Sequence, residues 1–317
     1  MTRAAGFTLV ELMVAVALTL LALASALTLV ARGRGAYRSA QARVQLEETA
    51  RAALDLLARE ARMAGYLGLV APGSEVAGMT PAGSEPPPQL VVGGTCGASL
   101  ALDLARPLAG ADGRFAAGPD LPLGCGPSPV GRAMPGADTL ILRAAEATPS
   151  SPDAGRLQLE SQRFAARLLA DGQRLLGEDS QINDLAVSVF YVSEDATGSP
   201  GRPSLRRKRL IGGTSPTFQD EELVPGVEDL QVEVGIEDPD GDGSKVLGYV
   251  SLDALPAGAR LRSARFWVLV RSEGADVAAA PMPALAYANR AQDAETSRFP
   301  RLLASRTVAL RNPGTPP

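Results

Sequence analysis

Glu11 is the side chain whose surroundings most plainly call for chemistry. It is the only charge between Phe7 and Ala31, where the other polar residues are Thr8, Thr19, Ser25 and Thr28. A run this long and apolar can cross a bilayer as a helix. A lone carboxylate within it costs about 3 kcal/mol on insertion scales, so an intramembrane glutamate is read as functional. Two further sets of residues could do chemistry. Cys96 and Cys125 fit no C-x-x-C redox or zinc spacing. In an oxidising compartment, a disulfide closing their Gly/Pro-rich stretch is favoured over two free thiols. Asp238, Asp240 and Asp242, in D-P-D-G-D-G, have the spacing of a calcium loop, with Gly243 available for the sharp turn. Tyr249 stands where an EF-hand carries its bidentate glutamate, so an acidic hairpin turn is the preferred reading over a calcium site. Calcium is the one cofactor the sequence suggests, and nothing requires it.

Other chemistries lack their residues. The chain has no histidine, which removes Ser-His and Cys-His nucleophile systems and His-ligated zinc or haem. No G-x-x-x-x-G-K-S loop is present, and Ser, Asp and Glu form no nucleophile–base constellation, so an enzyme is not expected. Net charge is −4, and no basic domain points to nucleic acid. The one compact basic cluster, Leu205–Arg209, is read as a solvated strand face near the acidic 220–242 region. Of the 31 basic residues only Lys208 and Lys245 are lysine. That bias fits base composition better than function.

Three readings compete for the N-terminus. A signal peptide has an apolar stretch of about 7–15 residues and then a small-residue cleavage site. Here the stretch is longer, and Arg32-Gly33-Arg34 stands where that site belongs. A plain anchor explains the length but neither Glu11 nor the short polar leader ending in glycine. Met1–Gly6 followed by F-T-L-V-E-L resembles the class III leader of type IV pilins and pseudopilins, which accounts for all of these features. The resemblance implies that a prepilin peptidase cuts after Gly6 and methylates the new amino terminus on Phe7. It also implies that Glu11 pairs with the N-terminal amine of a neighbouring subunit. Pairing relieves the penalty on an isolated buried charge, so Glu11 favours assembly over a solitary membrane helix.

Arg32, Arg34 and Arg38 outnumber Arg3 as flanking positive charges, so a bare positive-inside count places the C-terminal side in the cytoplasm. The resemblance overrules it: the leader is cytoplasmic, where its peptidase acts, and the rest is periplasmic. A disulfide agrees with that compartment. The expected location is the inner membrane, and then the pilus.

The elements that position these residues follow. Residues 1–6 form the leader, and 7–31 a transmembrane and filament-core helix. Residues 32–66 continue that helix beyond the membrane, with an apolar seam at Tyr37, Ala40, Val44, Ala50, Leu54, Leu57 and Ala61. Opposite charges four apart at Glu47/Arg51, Arg51/Asp55 and Asp55/Arg59 suit its exposed face. Gly33 and Gly35 are expected to loosen it, and Gly65 and Gly68 to stop it. Residues 67–317 form a head whose Gly/Pro-rich part, 67–137, reads as an irregular excursion. Strand-like runs follow at 139–143, 157–160, 186–192, 205–211, 227–236, 262–270 and 307–310, with alternation clearest at Leu230, Val232, Val234 and Ile236. The fold class is α+β, a long N-terminal helix packed on a mainly antiparallel sheet.

Residues 222–242 (E-L-V-P-G-V-E-D-L-Q-V-E-V-G-I-E-D-P-D-G-D) and 58–68 (A-R-E-A-R-M-A-G-Y-L-G) resemble PilW-type minor pilins. F-W-V-L-V-R-S at 266–272 and T-V-A-L-R-N at 307–312 are also similar. That resemblance implies a subunit that primes pilus assembly with other minor pilins, supporting twitching motility and attachment. Its partners are then other pilus subunits, prepilin peptidase and inner-membrane lipid. The alternatives are a J-type pseudopilin of type II secretion and a calcium-dependent adhesin module on a pilin stem.

Overall fold

In a computed structural model of the chain, one helix, α1, runs unbroken over Leu9–Met63. The residues described are 8–71, 73–93, 96–127, 131–238, 245–256, 258–275, 282–292 and 297–312. Gly33 and Gly35, expected to loosen α1, lie within its helical run. Thr19, Ser25 and Thr28 return their hydroxyls to carbonyls one turn back, at 2.6–2.8 Å, so no side-chain donor of this apolar stretch is left over. The helix ends where glycine allows it. Gly65 has φ +78, and its N–H leaves the helical ladder to reach the carbonyl of Arg143.

Contacts divide the chain into a unit ending at Gln45 and a compact unit beginning at Leu46. The expected seam therefore starts later than its pattern suggested. Tyr37 and Val44 are exposed, whereas Leu46, Ala50, Ala53, Leu54, Leu57, Ala58 and Ala61 are buried. Up to Gln45 the helix is a contact unit of its own, and periodicity alone cannot tell a stripe with a partner from one without. Glu47, Arg51, Asp55 and Arg59 are exposed, as a charged face should be.

The head is β-rich. Its strands are β1 (Val76–Ala77), β2 (Leu108–Ala111), β3 (Ala116–Gly118), β4 (Leu121–Pro122), β5 (Thr139–Pro149), β6 (Ala154–Ser161), β7 (Ala166–Asp171) and β8 (Gln181–Ser193). They continue as β9 (Ser204–Ile211), β10 (Thr217–Pro225), β11 (Val227–Glu237), β12 (Val246–Ser251), β13 (Leu261–Arg271), β14 (Leu285–Tyr287), β15 (Arg290–Gln292) and β16 (Arg301–Ala309). One eight-stranded sheet has the order β1-β7-β6-β8-β5-β2, with β9 also on β8 and β10 on β9. A four-stranded antiparallel sheet has the order β12-β11-β13-β16. Only β1 against β7 is parallel among the named strand pairs.

Leu46–Ala61 shares one core with both sheets: Leu140, Leu142, Phe190 and Leu205 from the first, Leu230, Val232, Phe266 and Val268 from the second. The excursion has a structural purpose of its own. Val76, Leu90, Val92, Leu102 and Leu104 pack on Leu157, Leu159, Leu168 and Val187, which point away from the helix-bearing core. Strand β8 is thus covered on both faces and is buried almost throughout. Arg143, itself fully buried, fastens the excursion to β5: its Nε and Nη1 donate to the carbonyls of Leu100 and Arg106 at 2.7 Å each. Burial lowers its pKa to about 10, with Asp103 opposing that shift.

Candidate functional site

Glu11 lies in the first turn of α1, and its carboxylate is already engaged. The backbone N–H and hydroxyl of Thr8 donate to Oε2 at 2.9 and 3.0 Å, while the Glu11 N–H donates to Thr8 Oγ1 at 3.3 Å. This is a capping box, in which N-cap and N3 side chains satisfy each other's backbone donors. Hydrogen bonding holds the carboxylate at the helix start; it supplies no counter-charge. The T-x-x-E spacing at 8–11 is a helix-start signal that the surrounding apolar run obscures in the sequence. Gly6 and Phe7, the cleavage and methylation positions, lie outside the described residues.

Cys96 and Cys125 are joined in a disulfide that spans 29 residues. Both are buried, in a small core with Leu100, Ala109, Ala117, Ile141 and Val189. This cluster ties the excursion to the face of β5 and β8 that points away from α1.

The basic cluster differs from expectation. Arg206 and Lys208 are 5% and 7% exposed, so this is not a solvated face. The reason is the neighbouring strand β10, whose acids fall in register with β9: Asp220 opposite Lys208, Glu221 opposite Arg207, and Glu222 opposite Arg206. Arg206 bridges Asp220 at 2.6 Å and Glu222 at 3.1 Å; Lys208 meets Asp220 at 3.2 Å. On the other face, Arg207 reaches Glu60 of α1 at 2.9 Å, and Arg209 reaches Glu146 at 2.8 Å. Burial raises the Asp220 carboxyl, but hydrogen bonds from Tyr191 and Arg206 outweigh it and hold the pKa low. The cluster serves to lock a hairpin onto the helix.

Strands β11 and β12 pair antiparallel, with Glu237 opposite Val246. Asp238 is described; Asp240 and Asp242 lie outside the described residues. The described residues contain no group of three acidic or thiol side chains placed to hold a metal.

A second polar group joins the two sheets. Asp138, just before β5, accepts backbone N–H groups from Gly113 and Val232 at 2.8 Å each. Asp229 accepts from Tyr287 at 2.6 Å and from Gln231 at 3.0 Å, with Arg290 at 3.3 Å. Burial pushes Asp138 up to about 7, against the pull of its two N–H donors. Burial likewise raises Asp229, opposed by Tyr287, Gln231 and Arg290. Gln231 is buried beside them, its amide donating to Asp229 Oδ1 and to the carbonyl of Gly136.

Two family models match the chain. The prokaryotic N-terminal methylation motif matches residues 1–27, and type IV pilus-assembly protein W matches residues 189–312. A search of curated proteins finds no match, and neither does a search of solved structures. An apolar N-terminal helix bearing the methylation motif, joined to a largely antiparallel β head, defines a type IV pilin-like protein anchored in a membrane. The match over 189–312 covers both halves of the β9–β10 lock and the whole four-stranded sheet. Over residues 189–312 the chain is similar to type IV pilus-assembly protein W.

Proposed function

We propose that the chain is a PilW-type minor pilin, cut by prepilin peptidase after Gly6, methylated on Phe7, and held in the inner membrane with its head in the periplasm. It then joins other minor pilins in a complex that primes assembly of the type IV pilus, and so supports twitching motility and attachment. One observation carries the reading: a methylation motif at 1–27 and a pilus-assembly head at 189–312 occur on one chain. Glu11 gives it chemistry. Its capping bonds to Thr8 satisfy hydrogen-bond donors but leave its charge uncompensated, and the methylated amine of a neighbour is the cation that compensates it. Pairing with a fixed cation stabilises a carboxylate in a medium that cannot solvate it.

Glu11→Ala tests the role directly. Cleavage after Gly6 should remain normal, while co-purification with other minor pilins and recovery in sheared pili should fall severalfold. Normal incorporation of the variant contradicts the pairing. Deletion of the chain separates the systems it could serve: loss of pili supports the pilus, and loss of type II secretion with pili intact supports a J-type pseudopilin.

A further inference from the structure

Four arginines, Arg32, Arg34, Arg38 and Arg43, follow the apolar run, and no acidic residue stands between Glu11 and Glu47. This charge sits on the side a positive-inside count would reject, and pilin assembly as read above gives it no use. Arg32 and Arg34 are exposed on α1 and alternate with Gly33 and Gly35, beside which a Cβ would meet nothing within 4 Å. The backbone there is open to close approach by a bulky anion. Tyr37 follows at 71% exposure, an aromatic of the kind that settles at a membrane–water interface.

The geometry points to an arginine collar that binds the phosphate groups of anionic phospholipids in the leaflet on the head side of the membrane. The inference rests on α1 spanning the bilayer and not on the pilus role. The spacing fits. Glu11 and Arg32 are 21 residues apart, about 31 Å of helix at 1.5 Å per residue. The hydrocarbon core is roughly 30 Å thick. With the guanidinium groups in the headgroups at one boundary, the apolar run fills the core and leaves Glu11 at its far edge, where a carboxylate is poorly solvated until a neighbour's amine pairs with it. Leu9, Leu12, Leu20, Leu21 and Leu29, all at least 60% exposed, then face acyl chains. Guanidinium groups match phosphate oxygens in pairs, and Arg stems lie along apolar chains while their heads reach outward.

The test is electron spin resonance of the full chain reconstituted in phosphatidylcholine bilayers with spin-labelled phosphatidylglycerol or spin-labelled phosphatidylcholine. At low salt the chain should prefer the anionic lipid by about fivefold or more, the equivalent of one engaged arginine. The preference should collapse in about 1 M salt, where the Debye length is near 3 Å. Arg32→Gln with Arg34→Gln and Arg38→Gln should abolish it, and the corresponding lysine triple variant should keep most of it. No preference in the wild-type chain overturns the collar, as does a preference unchanged by salt or by the glutamine triple variant.

Discussion

Residues 9–30 and 46–61 belong to one helix and follow opposite rules. In the first stretch every large apolar side chain is at least 50% exposed; in the second, Leu46, Leu54 and Leu57 are at most 6% exposed. The head inverts the pattern again. There Arg143, Glu160, Arg206 and Asp229 are buried, each with polar partners. The contrast teaches that helical periodicity does not say which solvent a face meets. One stretch suits lipid or neighbouring helices. The other is a structural spine around which two sheets close.

The comparison can be broken at several points, read as unfolding of the full chain in detergent. The largest loss should come from Arg206→Ala, which removes both bridges of a buried arginine and leaves Lys208 as the one cation on Asp220 and none on Glu222; it should cost about 3–5 kcal/mol. Leu57→Ala, at a fully buried position, should cost about 2–5 kcal/mol. Removing the disulfide with Cys96→Ser and Cys125→Ser should lower stability by about 3 kcal/mol, with the excursion loosening before the four-stranded sheet. Limited proteolysis should then cut first within 67–137.

Asp138 makes a pH prediction. Its folded pKa lies near 7, above its unfolded value, so folding takes up a proton there. Its favourable contribution is full below about pH 4 and is lost as pH rises through 7. Melting temperature should therefore decline from pH 5 to pH 8. Asp138→Asn should be less stable throughout, because its amide cannot accept from both Gly113 and Val232, yet its melting should lose most of that slope. The smallest effect sharpens the contrast within the helix. Leu20→Ala is the same kind of truncation as at Leu57, but at a position 60% exposed. It should leave head unfolding unchanged within about 0.5 kcal/mol.

Much of this architecture was legible in the residues. The seven strand-like runs all lie in observed strands, apart from Leu310 just past the end of β16, and the alternation of apolar with other residues is clearest in β11. Strand β10 was not legible: Q-D-E-E is a poor strand sequence by itself, and it is extended because its acids meet the bases of β9. Strand β7 and the order within 67–137 were hidden for another reason. Strand β7 pairs beside β6, residues of 67–137 pack over the face of β6 and β8 turned away from α1, and long-range pairing and packing leave little local period. At the N-terminus the leader, the apolar run and Glu11 could be read directly, since membrane solvation imposes a pattern too long to miss. The Thr8–Glu11 capping box was equally local and was obscured only by its apolar surroundings.

The N-terminus of the mature chain decides the central claim. The full-length gene product, produced with an active prepilin peptidase, is extracted from membranes and its N-terminal peptide is measured by mass spectrometry and sequencing. The account predicts a chain that begins at Phe7 and carries an N-methyl group, with Met1–Gly6 absent. A chain that keeps Met1, or one that begins beyond Ala31, contradicts it.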